Sequence, residues 1–253
     1  MDTAGYAYAV VSRHLDRLRA GGAERDFVCL ELGPGDSAAA ALIARCRGAQ
    51  RTLLVDSGNY ISRDMSVYRR LARFLASQGV TVPADVDFET FDGFLRTCRA
   101  DYYSDGLVSL RALPDASVDV IWSHAVLEHV REQDFAATMS QLRRVMKPGG
   151  ISSHRVDLRD HLGGALNNLR FSRPVWESSL MRSSGFYTNR IRFSTMLGEF
   201  RRSGFDVDVL NVERWGELPT PRARIVEPFR SMNDEELRVR GFDVLLKPVA
   251  LGR

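Results

Sequence analysis

Three groups of residues in this chain have the types and spacings that do chemistry. The first is Glu31-Leu32-Gly33-Pro34-Gly35, a glycine turn with an apolar run before it and an alanine-rich run after it. Glycines at such a turn let backbone approach a ligand closely, and the start of the next helix offers unpaired N–H groups to an anionic part. Asp56 closes the following apolar run, with Ser57 beside it. It stands about 20 residues beyond the turn, the spacing at which a carboxylate accepts hydrogen bonds from a ribose diol. Gly33-x-Gly35-x-x-Ala38 also fits a dinucleotide-binding turn, so a nicotinamide-dependent oxidoreductase is open at this level. The second group is His124 together with His154-Arg155-Val156-Asp157-Leu158-Arg159-Asp160-His161. His124, His154, Asp157, Asp160 and His161 are candidate general bases. Asp157, Asp160 and His161 could also ligate a divalent metal, but ligands so close in sequence need a further carboxylate and none is identified. No metal is expected. The third group is an arginine-rich segment, Arg170, Arg173, Arg182, Arg190, Arg192, Arg201 and Arg202 against Glu177 and Glu199. Phe171, Trp176, Phe186, Tyr187, Phe193, Asn167, Asn168 and Asn189 are interleaved with it.

The elements that must position these groups follow from periodicity. Tyr8, Val11, Leu15 and Leu18 form one stripe of a helix over 6–19, stopped by Gly21-Gly22. Runs 27–32, 52–56, 118–123 and 151–158 are short and apolar, as strands buried on both faces are. Helices are expected over 38–47, 65–77, 88–98 and 134–146, the last carrying Phe135, Met139, Leu142 and Val145 on one face. Lys147-Pro148-Gly149-Gly150 reads as its stop. Runs 205–212 and 242–247 form a final strand pair. Strand, glycine turn, helix and strand make a βαβ unit, whose crossover forces parallel strands, so the fold is an α/β doubly wound sheet. The interval from Asp56 to Val118 is long for one strand and its connections.

Composition sets further bounds. All but two of the 35 basic residues are arginine, against 32 acidic residues, for a net charge of +3. That is too small for a nucleic-acid footprint, and no RNA-binding module is visible. The arginine bias with abundant alanine suits a GC-rich genome. No apolar run approaches the ~18 residues of a membrane span. Three widely spaced cysteines and a start without a basic, apolar leader point to reduced thiols in a cytoplasm.

Three further blocks narrow the glycine turn. Glu31 precedes it, giving Glu-x-Gly-x-Gly. Leu113-Pro114-Asp115-Ala116-Ser117-Val118-Asp119 runs through a strand into Leu127-Glu128-His129, and Leu142 to Gly150 follows. This ordered set resembles the class I S-adenosylmethionine-dependent methyltransferases of the type 11 branch, over about residues 26–158 and the terminal strand pair. The resemblance implies a Rossmann-like, mostly parallel seven-stranded sheet with a helical cap insertion and a C-terminal antiparallel pair. It divides one domain into an N-terminal helix (1–25), a cofactor core (26–158), a cap (159–202) and completing strands (203–253). It implies that Glu31 and the turn Leu32 to Gly35 hold the methionine part of S-adenosylmethionine, Glu31 through the amino group. Asp56 and Ser57 would take the ribose, and Ser123 and His124 would lie beside the sulfonium. Relatives read the adenine with an acid where this chain has Ser109, which leaves Ser109, the Leu110 backbone or Asp105. They often carry a third glycine at Ser37, which here would cap the helix instead.

The segment 159–202 falls where such enzymes place a cap over the acceptor. Arg170, Trp176, Tyr187, Asn189, Arg190 and Arg192 are the expected acceptor contacts, since arginine forks bind anions and aromatics stack on rings or sugar faces. The alternative for this segment is a solvated face or dimer surface. The expected activity is O-methylation of a hydroxyl on a small molecule or glycan-like acceptor, anionic and nucleotide- or lipid-linked. N-methylation and a non-catalytic partner subunit are the alternatives.

Overall fold

A computed structural model describes residues 3–19 and 26–249; the expected stop at Gly21-Gly22 lies outside them. Seven strands form one sheet in the order β3-β2-β1-β4-β5-β7-β6. They are β1 (Val28–Leu32), β2 (Arg51–Val55), β3 (Ala100–Tyr103), β4 (Val118–His124), β5 (Met146–Asp157), β6 (Phe205–Arg214) and β7 (Val239–Pro248). β1 pairs parallel with β2 and β4, β2 pairs parallel with β3, and β6 pairs antiparallel with β7. The strand order reverses between β1 and β4. Doubly wound sheets bind ligands at the carboxyl ends of the strands beside such a reversal.

The chain groups into two compact units. The first comprises the described residues of Met1–His124 and Gln141–Ser153. Its helices are α1 (Ala4–Arg19), α2 (Ala39–Cys46), α3 (Met65–Ser77), α4 (Phe91–Thr97) and α5 (Leu107–Ala112). Cys29, Leu30, Leu54, Val55, Val120 and Ile121 have at most traces of exposure, as expected of strands covered on both faces. α3 has the range its periodicity predicts. Asp64 opens it by accepting the Ser66 N–H, and Met65, Tyr68, Leu71 and Leu75 form the inward stripe. Ser37 accepts the Ala39 N–H at 3.2 Å, but the cap position itself falls to Ala38.

Two stretches depart from the sequence reading here. β3 and α5 occupy the long interval after Asp56, where Ala100–Tyr103 is a four-residue edge strand with little apolar signal. The Lys147-Pro148-Gly149-Gly150 run does not separate helix from strand, because β5 already starts at Met146. Gly150 is required there: a Cβ would stand 2.7 Å from Met146 Cγ and 3.0 Å from the Asp119 carbonyl. Lys147 Nζ meets Asp119 Oδ2 at 2.7 Å and ties the two strands at that end.

The second unit comprises Ala125–Ser140 and His154–Val249. α6 (Glu132–Val145) begins in it, followed by the short α7 (Arg173–Trp176) and α8 (Ser179–Arg182), then α9 (Phe193–Arg202) and α10 (Asp234–Leu237). Between β6 and β7 the chain inserts residues 215–238, which the sequence reading left unassigned. Leu166, Leu169, Ile225 and Leu237 form a fully buried cluster with Trp215, Leu218, Phe229 and Met232 against it. That cluster joins the insertion to the segment after β5. Among the described residues no helix is long and apolar enough to cross a membrane.

Candidate active site

The first unit assembles the glycine turn at the strand ends. Gly33 (φ +73) and Gly35 (φ +66) hold left-handed conformations that a side chain disfavours. The Gly33 N–H donates to the Val55 carbonyl at 2.8 Å, and the Gly35 N–H donates to Asp56 Oδ2 at 2.9 Å. Asp56 also accepts the Ser57 N–H at 2.7 Å, so its carboxylate shapes the turn besides facing a ligand. Burial holds the Asp56 carboxyl above its usual range, against the opposing effect of those two N–H groups.

Glu31 is 4% exposed and sits opposite Trp122 in the β1–β4 register. The Trp122 indole N–H donates to Glu31 Oε1 at 3.1 Å. Oε2 is buried and has no hydrogen-bond partner. Burial first, and then the charge of Asp56, push the Glu31 carboxyl up to about 7, with the Trp122 bond opposing. A buried carboxylate oxygen left open between a tryptophan clamp and a glycine turn is the arrangement that a ligand ammonium completes.

His124 stands two residues past Trp122 on β4, level with the start of the turn, and Ser123 is fully buried beneath it. The loop after β3 closes the other flank. The Gly106 N–H donates to the Asp56 carbonyl at 2.7 Å, and the Asp105 N–H donates to Ser109 Oγ at 3.0 Å. Ser109 and Leu110 are buried on α5, whereas Asp105 is exposed at the strand end. The Ser109 hydroxyl therefore holds the loop, and of the three adenine candidates Asp105 keeps an exposed carboxylate.

Residues 30–153 match the family model described as "Methyltransferase domain". This is a class I S-adenosylmethionine-dependent methyltransferase domain. The fold agrees with two solved structures that resemble the whole chain. A methyltransferase of Methanosarcina mazei has a TM-score of 0.53 at 15% identity, covering 92% of this chain and 97% of that one. The YcgJ protein of Bacillus subtilis has a TM-score of 0.51 at 13% identity, covering 97% and 99%. At these identities the likeness concerns the fold alone. No curated protein sequence matches the chain. As a methyltransferase of this class the chain is an enzyme with S-adenosylmethionine as its cofactor, and the dinucleotide reading of the glycine turn gives way.

The site of the methyltransferase domain fits that cofactor: the open Glu31 oxygen suits the amino group, the bare Gly35 has no atom within 4 Å of a built Cβ, and the Asp56 carboxylate beside the turn suits a ribose diol. Replacing Asp56 with Ala should weaken S-adenosylhomocysteine binding by about 2–4 kcal/mol in a calorimetric titration. The loss has two sources, the ribose bonds and the release of the Gly35 N–H. Unchanged affinity would overturn the ribose role.

In the second unit the structure separates the remaining expected residues. His154 is fully buried and stacks on Phe200, with centroids 6.4 Å apart. Asp157 pairs with Arg159 at 2.6 Å. Asp160 is 2% exposed and accepts the N–H groups of Leu162 (2.9 Å), Ala165 (3.3 Å) and Asn167, so it holds its loop. His161 Nδ1 donates to the Gly185 carbonyl at 3.2 Å, and its ring lies 4.9 Å from His129. The four do not converge on one point. Among the described residues no group of three His, Cys, Asp or Glu is placed to hold a metal ion.

Five of the six expected acceptor contacts turn inward. The Trp176 indole N–H donates to the Thr188 carbonyl at 2.7 Å, and the Tyr187 hydroxyl donates to Glu177 at 3.1 Å. Asn189 Nδ2 bridges the Leu127 and Val130 carbonyls at 2.7 and 2.9 Å. Arg190, at φ +60, lies between the rings of Trp176 (5.6 Å) and Phe229 (5.2 Å) and donates to the Phe171 carbonyl at 2.8 Å. Arg192 is 2% exposed, and both of its terminal nitrogens bind carbonyls. Of the six, only Arg170 is exposed. The physical reason is that a guanidinium satisfies several carbonyls at once, so arginine serves in a buried loop framework as well as in an anion site.

Sequence reasoning misses the role of Trp122, and also Tyr6 and His14, which pack against His124 and Trp122, and Ser153, which is bonded to His14. A histidine within the apolar stripe of α1 was the signal available for His14.

Proposed function

We propose that this chain methylates a hydroxyl of a small-molecule, glycan-like acceptor, with His124 receiving the hydroxyl proton. The observation that carries the reading is the pairing of the Glu31–Trp122 clamp with an imidazole two residues further along the same strand. When bound, S-adenosylmethionine supplies an electrophilic methyl on a sulfonium. Glu31 would hold the amino group, the Gly33–Gly35 turn would let backbone approach, Asp56 would take the ribose hydroxyls and Asp105 the adenine amino group. A hydroxyl acceptor has to give up its proton when it is methylated, and an imidazole nitrogen of His124 would receive it. Arg170, Arg173 and Arg182 keep side chains outside the buried framework and would meet an anionic nucleotide- or lipid-linked group. His154, Asp157, Asp160 and His161 carry no step in this reading.

An amine acceptor is the alternative that a test has to exclude. Transfer of a labelled methyl to a panel of hydroxyl- and amine-bearing sugars and nucleotides, with the methylated atom located by NMR, separates the two. His124→Ala should lower transfer to a hydroxyl acceptor by about 10²-fold or more. Label on nitrogen, or an unaltered rate in His124→Ala, would overturn the hydroxyl reading.

A further inference from the structure

We propose that α1 belongs to the active site and that His14 is a positioning residue for His124. His14 is fully buried in a stripe otherwise made of Ala7, Val10, Val11 and Leu15. An imidazole in that company is costly to desolvate, and packing alone would be served by an aliphatic side chain. What the imidazole adds is direction. Its Nδ1 lies 2.8 Å from Ser153 Oγ, and Arg17, one turn along the helix, donates to the same oxygen at 2.6 Å. With the ring plane set by that anchor, one face stacks on Trp122 at 6.5 Å and 15°. The ring also meets His124 edge-on, at 5.8 Å and 77°. Tyr6, two turns earlier on α1, meets His124 at 6.2 Å and 84°.

Two rings from one helix thus pack against His124 at nearly right angles to it, the arrangement in which ring edges meet ring faces and rotation is resisted. Trp122, which His14 also touches, is the residue that clamps Glu31. One buried ring therefore links the orientation of the proposed base to the carboxylate proposed for the donor's amino group. A base held in one orientation is what a near-attack geometry needs. The inference rests on the reading of His124 given above, and deepens it.

The test uses the full chain with isotope-labelled histidine. The chain has five histidines, so the ring signals of His124 are assigned by their loss in His124→Asn. In His14→Ala the His124 signals should broaden or split, while S-adenosylhomocysteine affinity should fall by much less than in Glu31→Gln. His14→Phe, which keeps the ring volume but not the Ser153 bond, and Ser153→Ala should broaden them to a lesser degree. These two carry the test if His14→Ala does not fold. Unchanged His124 signals in the folded variants would overturn the proposal. So would a fall in S-adenosylhomocysteine affinity as deep as that of Glu31→Gln, which would place His14 in donor binding through Trp122. The spectrum reports the ring whether or not it takes a proton. Lost transfer in His124→Ala with undisturbed signals in the His14 variants would retire the positioning role alone, whereas normal transfer in His124→Ala would retire the reading beneath it.

Discussion

Glu31→Gln should bind S-adenosylhomocysteine about a hundredfold more weakly than the parent, close to 3 kcal/mol, measured by calorimetry at pH 8. The substitution is nearly isosteric. A glutamine oxygen can still accept the Trp122 indole N–H that Glu31 Oε1 accepts at 3.1 Å, so the turn and the β1–β4 register should survive. What disappears is the charge on the buried, unbonded Oε2 that the ligand's ammonium would meet. Equal affinity in the two proteins would remove Glu31 from the donor site.

The same substitution should stabilise the ligand-free protein at alkaline pH, and the sign follows from proton linkage. The Glu31 carboxyl is raised from 4.5 to about 7 in the folded chain, chiefly by burial. The folded state therefore holds the proton more tightly than the unfolded one. Its contribution to stability is fully present below the unfolded value and is lost as pH rises through about 7. Glu128, raised to about 8, extends the loss to that pH. Each group contributes on the order of a few kcal/mol across its window. Ligand binding should reverse the trend for Glu31, because the ammonium gains a charge partner above pH 7. Stabilisation by S-adenosylhomocysteine, read as a melting-temperature shift at pH 5.5, 7 and 8.5, should thus grow with pH in the parent and stay flat in Glu31→Gln. Parallel pH profiles for the two ligand-free proteins would contradict the burial argument.

How legible the molecule is in its sequence depends on how local each signal is. The glycine turn is local: Gly33, Gly35 and the apolar run before them stand in adjacent letters, and Asp56 closes the next apolar run. α3 is local too, since Asp64 caps it and one apolar stripe runs its length. β3 and α5 are not legible, because an edge strand of one buried and three half-buried residues carries no clear alternation. The Lys147 to Gly150 run has the composition of a helix stop. It becomes strand only because Gly150 admits close approach to Asp119 on β4, which no local rule anticipates. Trp122 is remote from Glu31 in sequence and is paired with it by sheet register alone. The arginine-rich segment is hard to read for a related reason. Composition counts guanidinium groups but does not tell one that faces solvent from one that faces carbonyls.

Arg192 gives that last point its largest measurable consequence. Its Nη1 donates to the Leu158 carbonyl at 3.2 Å, and its Nη2 to those of Glu236 (3.4 Å), Leu237 (3.2 Å) and Val239 (2.6 Å). Glu236 and Leu237 end α10, Val239 opens β7, and Leu158 follows β5. One side chain therefore caps a four-residue helix and ties two strand ends. Burial lowers the Arg192 guanidinium to about 10, so it remains charged at neutral pH. Arg192→Met keeps the stem and removes every donor, leaving four carbonyls without that partner. At roughly 1–3 kcal/mol for each buried group left unsatisfied, the expected loss is about 4 kcal/mol or more. That is a large share of the roughly 5–15 kcal/mol that a domain has in total. Arg192→Lys should fall between, since one ammonium cannot spread over four carbonyls as the planar fork does. Urea unfolding of the three proteins reads this order directly. Were Arg192 an acceptor contact instead, Arg192→Lys would unfold at the parent's urea concentration while its acceptor KM rose, and the framework role would be lost.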